Sequence, residues 1–159
     1  MRSKWTTIKK PIRDTKSAVI TMQETKCSQV GQMNLDGYYT YEHLRSEEKK
    51  GGGVALSALK ELQSALISDG GDGVEALTVD IHVKNMTISV VSAYSPQESA
   101  NVETKNAFWQ YLHVEAEKAK SYGKGFILQG DLNAWLGNVM LPGDLHFQKK
   151  KMEKCLNCF

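Results

Sequence analysis

No apolar run in this sequence approaches the ~20 residues that cross a bilayer, and no apolar stretch of the secretory kind follows the basic start Met1-Arg2-Ser3-Lys4-Trp5. Both absences predict an intracellular protein, nuclear or cytoplasmic, that does not enter a membrane. The three cysteines are an odd number with no disulfide framework, and they are expected to be reduced. Cys155-Leu-Asn-Cys158 is a lone CxxC, and even with His146 it falls short of the about four ligands that structural zinc requires. No internal repeat is present. No GxxxxGK[ST] motif follows Gly51-Gly52-Gly53, so the glycine triplet is read as a flexible turn or the start of an edge strand rather than a phosphate cradle. A net charge of +2 is too small to establish a polyanionic partner. The charge is uneven, however: Arg2, Lys4, Lys9, Lys10, Arg13 and Lys16 crowd one end and Lys149, Lys150, Lys151 and Lys154 the other. Such clusters either contact phosphates without reading sequence or are simply solvated.

The 159 residues suit one domain, with 41% hydrophobic and 24% charged residues as in ordinary globular proteins. Lys4 to Thr15 is amphipathic, with Pro11 weakening any helix there. Ala18 to Glu24 reads as a first strand, Gly37 to Tyr41 as a second and Gly51 to Ser57 as a third, together a meander. Leu62 to Gly73, rich in Gly, Ser and Asp, reads as a connection. Glu75 to Val83 and Met86 to Ser92 alternate on either side of Lys84-Asn85, which predicts a hairpin. Val102 to Tyr122 is the clearest helix, with Phe108, Leu112, Ala116 and Ala119 on its apolar stripe and Glu115, Lys118 and Lys120 on the solvated face. The last strand is Phe126 to Gln129, after which Gly130 is expected to turn the backbone. Hairpin strands, few helices and one long helix feeding a core strand indicate an α+β or layered α/β sandwich.

Three apolar strands end abruptly in polar residues. Ala18 to Met22 runs into Gln23-Glu24-Thr25, Val90 to Ala93 into Tyr94-Ser95-Pro96, and Phe126 to Leu128 into Gln129-Gly130-Asp131-Leu132-Asn133. Carboxylates beside a core are costly unless paired, hydrogen-bonded or bound to a cation, and a hard divalent ion such as Mg²⁺ gives Glu24 and Asp131 a common explanation. Hydrolysis of a phosphodiester suits these side chains. A cation held by Glu24 offsets charge building on phosphorus, Asp131 orients or deprotonates water, and Asn133 and Tyr94 donate hydrogen bonds without adding negative charge. Each has a plainer alternative: a solvated strand-end carboxylate for Glu24, an Asx-type turn for Asp131 and Asn133, a half-buried core tyrosine for Tyr94. Trp135 is read as packing beneath the loop rather than stacking on a base, and His43, His82, His113 and His146 match no motif.

In this order, Gln23-Glu24-Thr25, Ala93-Tyr94-Ser95-Pro96 and Gly130-Asp131-Leu132-Asn133 resemble the endonuclease/exonuclease/phosphatase family of metal-dependent phosphodiesterases. Within it they are most similar to the apurinic-type endonuclease domains of LINE-type (non-LTR) retrotransposons. The resemblance implies an α/β (α+β) fold, a four-layer α/β/β/α sandwich of the DNase I-like type. It also implies Glu24 as metal ligand and Tyr94, Asp131 and Asn133 as catalytic residues. Mg²⁺ is the implied cofactor with Mn²⁺ as the alternative, nucleic acid, expected to be DNA, is the partner, and a linked reverse transcriptase is suggested by the resemblance alone. The family's upstream metal-site asparagine and closing Ser-Asp-His segment have no counterpart here. The expectation is therefore a partial domain over residues 1–144 with a divergent Lys- and Cys-containing tail over 145–159. Its activity should be weak or absent, and unpaired sheet edges should permit self-association. A non-catalytic remnant binding nucleic acid or protein, and a phosphatase on lipid or nucleotide phosphates, are the alternative functions.

Overall fold

The computed structural model describes Ile12, Asp14, Thr15, residues 17–45 and residues 52–133. Strands β1 (Val19–Gln23), β2 (Tyr38–His43) and β3 (Val54–Leu59) form one antiparallel sheet in the order β1-β3-β2. Strands β4 (Gln63–Asp69), β5 (Ala76–Val83), β6 (Met86–Tyr94) and β7 (Gly125–Asp131) form a second, in sequential order, antiparallel except for the β6–β7 pair. Helix α1 (Val102–Ser121) supplies the long crossover that a parallel pair requires.

The first sheet is not a meander, because β3 inserts between β1 and β2. β3 is consequently the central strand, with Val54 to Ala58 all fully buried, and Gly52 and Gly53 before it are buried rather than part of a loose turn or edge. The expected connection over Leu62 to Gly73 also contains strand β4. Its residues are mostly exposed and its register shifts between Leu66 and Ser68, so it is a solvated edge strand without an apolar face.

The two sheets pack face to face. Val54, Leu56 and Ala58 of β3 meet Leu77, Val79, Ile81 and Val90 of β5 and β6, and Tyr94 joins the same cluster. Odd-numbered residues of β1 point into this interface: the Gln23 amide donates to Ser92 Oγ at 3.3 Å, and Thr21 Oγ1 lies 3.5 Å from Gln129 Oε1. On the far side of the second sheet, Val91, Ala93 and Leu128 pack against Phe108 and Leu112 of α1. Phe108 has no exposed surface, a burial that contributes about 1.5–3 kcal/mol. Ile12 covers Leu35 and Tyr38 beside the first sheet. The architecture is α+β of the DNase I-like type, two stacked sheets with few helices.

Local chemistry explains the elements. Asn101 caps α1 by accepting the Thr104 N–H at 2.8 Å, Glu103 sits in the first turn and Lys118 and Lys120 in the last, and Gly123 in the left-handed region (φ 63°) closes its end. Glu115 is not on the solvated face: it is buried at 3% exposure, one turn from Leu112, and is neutralised by Lys118 Nζ at 2.8 Å. The β5–β6 hairpin turns on Lys84 and Asn85, with Lys84 left-handed at φ 54°. Gly130 lies within β7 rather than at a turn. A Cβ there would stand 1.8 Å from the Ala93 carbonyl oxygen of β6, so only glycine lets the two strands pair so closely.

Candidate active site

Each polar strand end is delivered by a different strand, and the sheet packing brings them together. β6 and β7 run parallel with Tyr94 opposite Asp131, so their carboxyl ends finish side by side. β1 belongs to the other sheet, and Glu24 follows its last residue. The Tyr94 hydroxyl donates to Glu24 Oε1 at 2.7 Å, a hydrogen bond between the two layers. Asp131 and Asn133 are fixed to the end of β6: the Ser95 N–H donates to the Asp131 carbonyl at 2.8 Å, and Asn133 Nδ2 donates to the Ser95 carbonyl at 2.9 Å. The Asn133 N–H meets Asp131 Oδ1 at 3.2 Å, which is the Asx-type turn considered from the sequence. The turn and the site are thus the same structure.

Electrostatics fix the form of Tyr94. Its phenol is pushed up to about 12, chiefly by burial, then by the hydrogen bond to Glu24 and that carboxylate's charge; a hydrogen bond from Asn133 pulls the other way, and Asp131 adds a smaller upward push. At neutral pH the phenol is a hydrogen-bond donor and not an anion. Tyr94 is also a core residue, 9% exposed, so its packing and its polar contact coexist. The Glu24 carboxylate is half exposed, with Lys26 Nζ 3.6 Å away.

The backbone around the site is unusual. Among the described residues four non-glycines have positive φ, and three of them, Glu24 (51°), Lys26 (54°) and Asn133 (42°), lie here. Left-handed geometry costs a residue with a Cβ about 1–3 kcal/mol and persists where surrounding contacts impose it. For Glu24 and Lys26 those contacts are the bonds from the Thr25 N–H to the Gly53 carbonyl at 3.2 Å and from the Lys26 N–H to the Gly52 carbonyl at 2.9 Å. Sequence reasoning did not assign a role to this glycine pair, to Arg45 or to Glu75, whose buried carboxylate accepts the Gly53 N–H at 2.6 Å and pairs with Arg45 at 2.6 Å. The available signal was a glutamate immediately before the apolar alternation of β5.

Beside Tyr94 opens a groove of about 450 Å³, lined among others by His43, Arg45, Glu75, Ser95 and Asn101. His43 Nδ1 lies 3.9 Å from Asp69, while His82 and His113 are exposed and away from the site. Trp135, His146, Cys155, Cys158 and both basic clusters lie outside the described residues. Cys27 is a free thiol. No described helix is long and apolar enough to cross a membrane.

Two layered sheets with polar groups converging at the carboxyl ends of β1, β6 and β7 define a DNase I-like sandwich. The chain belongs to the Endonuclease/Exonuclease/phosphatase family, whose sequence profile matches residues 10–147. Among solved structures it is similar to the endonuclease domain of TRAS1, a telomere-specific non-LTR retrotransposon, with 18% identity and a TM-score of 0.56 over 81% of this chain and 54% of that one. The AP endonuclease LMAP from Leishmania major gives 20% identity and a TM-score of 0.61 over 80% of this chain and 49% of that one. A truncated TDP2 from Caenorhabditis elegans gives 11% identity and a TM-score of 0.63 over 88% and 59%. At these identities the likeness is one of fold. Craniofacial development protein 2 of Bos taurus is 26% identical over 125 residues, 79% of this chain. The chain spans 21% of that protein's length and about half of the solved chains named above.

Proposed function

We propose that this chain carries the centre of a metal-dependent phosphodiesterase acting on nucleic acid, with DNA as the substrate. The observation that supports this most is the 2.7 Å hydrogen bond from Tyr94 to Glu24, formed where Tyr94 is in parallel register with Asp131. Packing alone would leave a carboxylate, a phenol, a second carboxylate and an amide scattered. Here Tyr94 is bonded to Glu24, and Asp131 and Asn133 are fastened to Ser95, the residue that follows Tyr94.

Mg²⁺ keeps several waters and is held by one or two carboxylates together with substrate phosphate, so a half-exposed glutamate at a strand end fits it, with Mn²⁺ as a substitute. When bound at Glu24, the ion would offset the negative charge that builds on phosphorus. The chain's own residues do the rest. Tyr94, neutral at pH 7, holds one oxygen of Glu24 in place and orients the carboxylate. Asp131 uses Oδ1 in its turn, and no described residue hydrogen-bonds its other oxygen, which is available to orient a water and accept its proton. Asn133 brings an uncharged donor to a phosphate oxygen, avoiding the repulsion a third carboxylate would create.

The choice of DNA is supported by the TRAS1 endonuclease domain and the AP endonuclease LMAP, both with this fold. The test is nicking of supercoiled plasmid by purified, demonstrably folded protein in Mg²⁺ or EDTA, with Asp131→Ala and Glu24→Gln alongside. Weak, metal-dependent nicking that drops to the EDTA background in Asp131→Ala is the expected result. Nicking equal in all three proteins would overturn the assignment, and salt-sensitive DNA binding that ignores EDTA would move it to a non-catalytic binding role.

A further inference from the structure

Glu75 is bonded to both halves of the site without belonging to either. It precedes β5, is 8% exposed, and its main-chain carbonyl accepts the Tyr94 N–H at 2.8 Å. Its side chain reaches the other sheet: Oε2 accepts the Gly53 N–H at 2.6 Å, and Oε1 meets Arg45 Nη2 at 2.6 Å. The carbonyls of Gly53 and Gly52 in turn accept the N–H groups of Thr25 and Lys26, the two residues after Glu24. One side chain and its own backbone therefore connect the Tyr94 end of β6 to the Glu24 end of β1.

The glycines are fitted to this carboxylate. Both are left-handed, at φ 75° and 83°. A Cβ on Gly52 would lie 2.3 Å from Glu75 Oε2 and 2.8 Å from Arg45 Nε, and one on Gly53 would lie 2.6 Å from Thr25 Oγ1. A side chain on Gly52 would displace the Glu75–Arg45 pair, and one on Gly53 would press on Thr25 beside Glu24. A carboxylate so nearly buried is retained only with charged and hydrogen-bonded partners, and here both partners flank strands of the sheet that carries Glu24, Arg45 following β2 and Gly53 preceding β3.

We propose that Glu75, with Arg45 as its counter-charge, is a positioning residue that sets Glu24 against Tyr94 across the two sheets, a role whose catalytic consequence rests on the function proposed above. Its carboxylate is engaged by the Gly53 N–H and by Arg45. Losing it would leave every site residue in the chain while releasing the backbone that holds Glu24, and misplacement on the ångström scale costs up to about 10²-fold in turnover.

The experiment compares Glu75→Ala and Glu75→Gln with the wild type in two measurements. In residue-resolved amide hydrogen exchange, the Ala variant is expected to lose protection at Gly53, Thr25 and Lys26 by about tenfold or more, while the β5–β6 amides keep theirs. The Gln variant, whose carboxamide oxygen can still accept the Gly53 N–H, is expected to recover part of it. In steady-state nicking, kcat falls about 10- to 100-fold with KM unchanged. Uniform loss of protection across all strands, or no loss at the three amides, would overturn the proposal. Should the Ala variant fail to fold, the Gln variant decides by the same criteria. If the wild type does not nick, the functional assignment fails, and the exchange pattern still decides whether Glu75 holds the Glu24 segment.

Discussion

The Tyr94 phenol should ionise about two pH units later than an ordinary tyrosine, and each neighbour should leave a signed mark on that titration. The shift from 10.0 to about 12 has burial as its largest cause, followed by the hydrogen bond to Glu24 and the charge of Glu24; the hydrogen bond from Asn133 opposes it, and Asp131 adds a little. At about pH 11 a phenol of pKa 10 is about 90% ionised, whereas one of pKa 12 is about 10% ionised. The assay is tyrosinate absorbance immediately after a pH jump, before any unfolding, in EDTA, with the Tyr94→Phe trace subtracted. Glu24→Gln should bring the midpoint down toward 10 without reaching it, because burial persists. Asp131→Asn should lower it less, and Asn133→Ala should raise it. Because the folded-state pKa is raised, the associated stability is complete below the unfolded value near 10 and is lost as pH rises through about 12, amounting to at most about 2 to 3 kcal/mol. A folded-state midpoint near 10, or one that Glu24→Gln leaves in place, would refute the hydrogen-bonded geometry.

Two stability predictions accompany those for nicking and for Glu75. Asp80 is buried, accepts from Ser89 Oγ at 2.6 Å and pairs with Lys124. Asp80→Ala should cost about 2–3 kcal/mol in urea unfolding, below the about 3–5 expected of a fully buried pair because Lys124 is 24% exposed and can turn to water; a midpoint equal to wild type would refute this. Gly130→Ala drives a Cβ into the Ala93 backbone and should destabilise by about 3 kcal/mol. An unchanged melting temperature would show that β6 and β7 do not approach as closely as described.

Elements with a period of their own were legible. The β5–β6 hairpin, α1 and the core of β7 declare themselves by alternation or a helical stripe, and the three strand ends by an abrupt change from apolar to polar residues. β4 escaped because an exposed edge has no need of apolar alternation, and Glu115 because a buried carboxylate neutralised by Lys118 looks like a surface charge in sequence. The position of β3 between β1 and β2 is a property of pairing between distant segments, which no local pattern encodes. Glu24, Tyr94, Asp131 and Asn133 could be named as candidates, yet the contact between the first two and the fastening of the last two to Ser95 emerge only from packing. Glu75 was hidden for a related reason: its importance lies in what its backbone and side chain reach, and its own segment reads as the start of a strand.

Tyr94 and Glu24 are 70 positions apart in the chain and arrive from opposite sheets. Contacts of that separation carry a large loop-closure penalty and form after local hairpins have paired. A nascent or partly opened chain can hold a complete β5–β6 hairpin and a complete β2–β3 pair and still possess no centre, only a stray phenol and a stray carboxylate. The arrangement of the candidate site is therefore a property of the docked layers, present when both sheets are in place and dispersed as soon as they separate.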